Sequence, residues 1–360
     1  MKSIHHMFLK NLLLRSFRNY TKASISFEKG INIIKGRNGA GKTNLLEAIF
    51  LLSTGRSFRT MHFTDLIQEG ASYFYIEAHF EKERVKQVLG IGYSKRGRRI
   101  HYNNTYFYNI SHLFGIMPSV LYSPKDQLLI SGSPTERRRF LNMHLAQTTP
   151  LYLSHLIRYY RAMKQRNVLL KHQSQQAIES FEKVMADSAH YLMGKRHELI
   201  ERLNPRMQAF SNILSSHQDS FSLFYKPSIC MQQVGEIELL YATKRPKELI
   251  LGSTISGPHR DDFLFTYNNK DAKAYASEGQ KQTCITALKM AEWEELKNQT
   301  QTLPLMNIDD FGTHFDKMRV HLFQKYLSNL GQVFLTTPIV EGIPTAHCVH
   351  IEGGNLCTVV

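Results

Sequence analysis

The chain has 360 residues, 42% of them hydrophobic, enough for about two domains or one large domain carrying an insertion. Its 45 Lys and Arg against 30 Asp and Glu leave a formal charge of +15, which favours a polyanionic partner, either nucleic acid or an acidic membrane surface. Cys230, Cys284, Cys348 and Cys357 form neither a C-x-x-C pair nor a disulfide framework, which argues against structural zinc and for a reducing cytoplasm. No uncharged stretch reaches the roughly 18 residues of a membrane span. The apolar "FLKNLLLRSFRNY" is interrupted by Lys10 and lacks a small-residue cleavage site, so it does not read as a signal peptide.

In chain order, "ASISF" (23–27) alternates as a half-buried strand does, and the run Ile31 to Ile34 reads as a buried one. "GRNGAGKT", Gly36 to Thr43, follows at once and fits G-x-x-x-x-G-K-[ST] at every fixed position. Leu45, Leu46, Ile49 and Phe50 then recur at helical spacing. A chance Gly-rich turn would lack those flanks. Glycines let the loop turn its N–H groups toward phosphate oxygens, and the helix that starts there adds its positive dipole end. Lys42 supplies a charge near the β- and γ-phosphates, and the Thr43 hydroxyl suits Mg²⁺. The candidate ATP contacts in this stretch are Gly36, Arg37, Asn38, Gly39, Ala40, Gly41, Lys42, Thr43 and Asn44.

"SYFYIEAHF" and "KQVLGIGYS" continue the strand texture, so residues 1–125 read as the first part of an α/β P-loop ATPase core with antiparallel strands. Over 126–245 the texture turns to long helical patterns, "TPLYLSHLIRYYRAMKQRNVLLKHQ" and "FEKVMADSAHYLMGKRHELIERL", which predict a helical insertion domain. Over 246–360 strands are expected again at "LILGSTISG" and "FLFTY". A helix follows at "EGQKQTCITALKMAEWEELK", then strands at "LPLMNI" and "QVFLTT", the second part of the core.

A P-loop ATPase needs an acid at a buried strand end to hold Mg²⁺ through water and a second to polarise the attacking water. "PLMNIDDF" offers Asp309 for the metal and Asp310 as general base. Asn307 inside that strand is a buried amide that needs partners. Ser277, Glu278, Gly279 and Gln280 open the next helix upstream. On their own they are an ordinary N-cap; about 30 residues before an acidic strand they become a second anion site.

Basic residues cluster at Arg56 and Arg59, at Lys95, Arg96, Arg98 and Arg99, at Arg137, Arg138 and Arg139, and at Arg158, Arg161, Lys164 and Arg166. Each run alone is more often a solvated face; together they favour a surface that tracks DNA phosphates without reading bases. Tyr159 and Tyr160 are expected as packing residues, and His259 with Asp261 and Asp262 lacks metal-ligand spacing and reads as a structural turn.

The "GRNGAGKT" loop, the S-x-G-Q segment from Ser277, "IDDF" and Asp316 together resemble the ABC-type ATPases of the chromosome-maintenance group. Within it, "GRSFR" (55–59), "YSPKDQLLISGSPTERRRFLN" (122–142), "KQRNVLL" (164–170) and "SGPHRDDF" (256–263) resemble its DNA-repair branch. Departures stand at Lys125 and Asn142, where the family has acids, and at Thr313, His314 and Phe315 before Asp316. The resemblance implies an ATP- and Mg²⁺-dependent protein that binds duplex or gapped DNA, dimerises on ATP, hydrolyses it slowly as a switch, and acts with RecO and RecR to load the recombinase RecA. It also implies that Ser277, Gly279 and Gln280 complete the nucleotide site of a second protomer. The alternative is the ATPase subunit of a membrane transporter. A long-armed chromosome organiser is excluded by an insertion whose arm reaches at most roughly 80 Å.

Overall fold

In the computed structural model, the period-two pattern of Tyr73–Lys82 turns Phe74, Ile76, Ala78 and Phe80 inward, and the neighbouring strands do the same. They form a six-stranded antiparallel sheet in the order Tyr20–Ser26, Met7–Phe17, Tyr73–Lys82, Val85–Ser94, Gly97–Tyr102, Thr105–Phe107. The second six-stranded sheet runs Asn355–Val359, His347–Glu352, Ile31–Lys35, Val333–Thr336, Leu305–Ile308, Ser119–Tyr122. All its pairs are parallel except the first. Val333–Thr336, Leu305–Ile308 and Ser119–Tyr122 are buried along their whole length, as a parallel sheet covered on both faces requires. Helix Lys42–Thr54 packs against strands of both sheets and is buried from Leu45 onward, so one hydrophobic core joins the three layers.

The described residues are 4–215, 217–230, 233–310, 317–337, 346–353 and 355–359. They fall into two compact units, one of Met1–Asp126, Ala209–Gln218 and Glu278–Val360, the other of Gln127–Gln208 and Asp219–Ser277. The second unit holds helices Pro134–Thr148, Pro150–Lys171 and Val234–Leu251 and most of Ile178–Ser215. It also holds a three-stranded antiparallel sheet, ordered Lys270–Asp271, Asp262–Tyr267, Phe221–Lys226. This unit therefore runs beyond residue 245 to Ser277, and "FLFTY" lies in it because it pairs with Phe221–Lys226. The expected strand at "LILGSTISG" is absent: residues 249–251 end helix Val234–Leu251, which Gly252 closes at φ +64. A short apolar run carries no period of its own to tell helix from strand. Ile178–Ser215, at 38 residues, is about 57 Å long by its helical rise.

Polar side chains fill much of the second unit's interior. Arg196, fully buried, donates to Asp261 at 2.7 Å, the Pro258 carbonyl at 2.6 Å, Tyr152 at 3.0 Å and Asn142 at 3.0 Å. Asn142, standing where the resemblance expects an acid, accepts through Oδ1 from both Arg196 and the Tyr152 hydroxyl. Arg166 is also fully buried, paired with Glu182 at 2.8 Å and Glu248 at 2.6 Å, which removes it from any DNA-facing set. Tyr159 packs in the interior, and its hydroxyl meets His259 Nδ1 at 2.7 Å. Burial pulls the His259 pKa down to about 4, so this ring is neutral and structural.

Candidate nucleotide-binding site

Between strand Ile31–Lys35 and helix Lys42–Thr54 the loop leaves Gly36 to Gly39 exposed. Gly41 sits at φ +116, and a Cβ there would stand 2.8 Å from the Asn19 amide and 2.9 Å from the Tyr20 hydroxyl. Those two side chains support the loop from behind. Asn19 Nδ2 donates to the Ala40 carbonyl at 2.9 Å, Tyr20 donates to the Gly41 carbonyl at 3.0 Å, and Asn44 Nδ2 donates to Asn19 Oδ1 at 2.7 Å. Among the described residues no side chain caps the helix, so its first N–H groups, which have no intrahelical acceptor, are open to an anion. Lys42 Nζ donates to the carbonyls of Gly36 at 2.8 Å and Arg37 at 3.1 Å. Two of its three N–H groups thus hold the ammonium across the loop.

The acidic half arrives from the ends of neighbouring parallel strands. Thr43 Oγ1 and Thr336 Oγ1 both donate to Asp309 Oδ1, at 3.0 and 2.9 Å. The Asp309 N–H donates to the Tyr122 carbonyl at 2.8 Å, and the Asp310 N–H to Thr336 Oγ1 at 2.8 Å. One hydroxyl, Thr336, therefore ties the two acids together. Burial raises the Asp309 pKa above the ordinary carboxylate value, a cost that a neighbouring cation would offset. A hydroxyl and a carboxylate are the hard oxygen donors that Mg²⁺ takes, and an exposed, uncapped, glycine-lined loop fits a polyphosphate. Asp310 is exposed, at φ +61. Asn307 donates to the Val120 carbonyl at 3.2 Å, while its Oδ1 finds no hydrogen-bond partner among the described residues.

The helix after the loop carries a buried acid that no local motif in the sequence marks. Glu47 receives Arg18 Nε at 2.9 Å and Nη2 at 2.8 Å and the Ser57 hydroxyl, with Arg59 Nη1 at 3.6 Å. Arg59 also donates to Asn44 at 2.5 Å. Arg59 is thus tied to the loop's support, while its side chain stays 40% exposed. Arg137, expected as a DNA contact, is instead structural: 7% exposed, it forms a two-pronged pair with Asp262 at 2.6 and 2.9 Å. Arg138 donates to the Asp261 carbonyl at 2.9 Å. Lys95 and Arg96 are exposed at the turn between Val85–Ser94 and Gly97–Tyr102, Arg99 is exposed within the latter strand, and Arg56 is exposed too. Arg98 lies over the Phe63 ring at 5.0 Å.

Ser277 is exposed and ends the second unit; Glu278 opens helix Glu278–Thr300, with Gly279 and Gln280 half-buried in its first turn. Thr313, His314, Phe315 and Asp316 lie outside the described residues. The loop and the acid pair were legible from spacing. Thr336 and Asn19 were not, although "TT" ending an apolar strand and "RNY" ending another were the signals available.

The family model described as RecF/RecN/SMC N terminal domain matches residues 8–345. The DNA replication and repair protein RecF of Protochlamydia amoebophila (strain UWE25) is 41% identical over 337 residues, 92% of this chain and 94% of its own. That of Chlamydia trachomatis (serovar D) is 37% identical over 359 residues, 97% of this chain and 98% of its own. A solved structure of the recombination mediator protein RecF-ATP in the RecFOR pathway superposes with a TM-score of 0.91 at 28% identity, covering 98% of both chains. The Smc head domain from Pyrococcus furiosus, at 17% identity and a TM-score of 0.58, shares the fold. No helix among the described residues is long and apolar enough to cross a membrane, and a transporter subunit is not favoured by these relatives. The chain belongs to the RecF family of DNA replication and repair proteins and is built on the ABC-type ATPase fold that this family shares with SMC heads.

Proposed function

We propose that this chain is an ATP-switched, DNA-binding protein of recombinational repair, a slow ATPase that dimerises on ATP and helps load recombinase onto single-stranded gaps. The observation that carries this reading is the convergence of Thr43 and Thr336 on one oxygen of Asp309, beside a loop spanned by Lys42. Lys42 meets the β- and γ-phosphates, and the loop N–H groups, Asn38 to Asn44, take the remaining oxygens. Thr43 and Asp309 are the residues that would hold Mg²⁺, and the ion would supply charge to offset that of the phosphates. Asp310 receives the proton of the attacking water. Its carboxylate is exposed in the single chain, so water there is not sequestered until a partner closes the site, which favours slow turnover. The RecF-ATP neighbour supports ATP as the ligand, and its RecFOR pathway supports RecO and RecR as partners.

The test uses the shared site. Ser277, Gly279 and Gln280 of one protomer complete the nucleotide held by the loop of the other. Ser277→Arg therefore binds ATP as a single chain but neither dimerises nor hydrolyses it, while Lys42→Ala fails already at binding. Mixed together, the two variants form a heterodimer in which one site carries both lesions and the other joins intact Lys42 to intact Ser277, so hydrolysis returns on mixing. Normal turnover by Ser277→Arg alone, with DNA present, would show Ser277 to be only a helix cap.

DNA affinity is expected to fall steeply with salt. Replacing Lys95, Arg96 and Arg99 by glutamine lowers the slope of log affinity against log salt by about 0.9 for each phosphate that the protein no longer neutralises. A slope that does not change takes that turn out of the DNA surface.

A further inference from the structure

The outer face of the antiparallel sheet carries an arrangement that the nucleotide site does not use. Tyr75, Glu77 and His79 point to one side of strand Tyr73–Lys82, opposite the core residues Phe74, Ile76, Ala78 and Phe80. Strand pairing continues that side as two cross-strand rows. One runs Lys22, Arg15, Tyr75, Gly92, Arg99, and the next Ser24, Leu13, Glu77, Gly90, His101, Tyr106.

Two rings lie where two side chains are missing. A Cβ on Gly90 would stand 2.2 Å from His101 Cε1 and 3.0 Å from the Tyr75 hydroxyl, and one on Gly92 would stand 3.4 Å from Tyr75 Cδ2. The Tyr75 and His101 rings are within 7° of parallel at 6.1 Å between centroids, and Tyr106 follows 5.9 Å from His101. Glu77 pins the group: it accepts from the Tyr75 hydroxyl and meets His79 Nε2 at 2.8 Å and His101 Nε2 at 3.4 Å. The core lies on the other face; Tyr106 is 72% exposed and Tyr75 half-buried, while the His101 side chain, 15% exposed, is packed between them.

Charge selects the occupant. Glu77 is engaged by Tyr75, His79 and His101 and Glu81 by Lys10 at 2.7 Å, which leaves Arg15, Lys22 and Arg99 as a positive surplus flanking the rings. We propose that this face is a stacking platform for the unpaired bases of single-stranded DNA, with Tyr75 and Tyr106 receiving bases, His101 wedged between them to set their spacing, and Arg15, Lys22 and Arg99 taking the phosphates. Open sheets bearing aromatic rings take unpaired nucleotides in this way, and a duplex, whose bases are already stacked, gains nothing from the rings. The inference rests on the DNA-binding reading above for the choice of polymer.

The test is fluorescence anisotropy with a labelled oligodeoxythymidylate, an abasic strand of the same length and a duplex. Each is titrated with the wild-type protein, Tyr106→Ser, Tyr75→Leu and Tyr75→Phe. Single-strand affinity falls about tenfold in each of the first two variants, Tyr75→Phe keeps most of it, and duplex affinity is unchanged in all three. The abasic strand binds wild type as weakly as the oligodeoxythymidylate binds the ring-loss variants. The platform is overturned if ring loss leaves single-strand affinity unaltered, if the abasic strand binds as tightly as the normal one, or if duplex binding falls in parallel. Wild-type protein that binds neither strand form would instead sink the DNA-binding reading. Duplex binding without ring-dependent single-strand binding would sink only the platform.

Discussion

Lys42→Ala lowers ATP affinity by about 100-fold or more, the effect of removing one partner from a close charge pair at roughly 2–5 kcal/mol. The Lys42 ammonium is held across the loop by the Gly36 and Arg37 carbonyls, so it is positioned before any ligand arrives and its full interaction with phosphate is expressed on binding. Alanine removes that charge and also frees two carbonyls that would face the phosphates. The side chain is half-buried and, among the described residues, bonds the loop's own carbonyls, so the fold is expected to survive. Titration with a fluorescent ATP analogue reads the loss, and thermal unfolding without nucleotide confirms the unchanged fold. Affinity within about threefold of wild type, well under 1.4 kcal/mol, would remove Lys42 from the phosphate site.

Asp261→Ala destabilises the second unit by roughly 3–5 kcal/mol, the cost of leaving a buried charge without its counterion. Asp261 is fully buried; its carboxylate accepts from Arg196 at 2.7 Å, from the Ser228 N–H at 2.8 Å and from the Tyr225 hydroxyl. Removing it strands the Arg196 guanidinium among neutral acceptors, the Pro258 carbonyl, Tyr152 and Asn142. Hydrogen exchange shows the loss as faster exchange in strands Phe221–Lys226 and Asp262–Tyr267, which end on this network. The paired change Asp261→Leu with Arg196→Met recovers much of the stability, because a buried ion pair is replaceable by apolar groups of similar size. A loss below about 1 kcal/mol for Asp261→Ala would show that water or another acid takes over the charge.

The nucleotide loop was legible because everything it needs is local. Gly36 to Thr43 are consecutive, and the strand before and helix after follow from side-chain periods that adjacent residues declare. Asp309 and Asp310 were legible for the same reason, as acids directly ending an apolar run. The arginines were not. Arg59 and Arg137 stand in similar basic runs, but Arg59 leans on Asn44 and Glu47 while its side chain stays exposed, and Arg137 is buried against Asp262, 125 residues away. Arg166 meets Glu248, 82 residues on. Whether a cation faces solvent or a buried acid depends on which distant element packs over it, and no local period carries that information. The same holds for Thr336, whose hydroxyl joins Asp309 to Asp310 only because parallel strands set it beside them. Tyr75, His101 and Tyr106 become neighbours only through the registers of successive antiparallel strands. Local chemistry determined by sequence alone was the phosphate loop, its acids and the alternation of the strands; long-range pairing in the tertiary structure decided which charges are buried in ion pairs and which are left exposed.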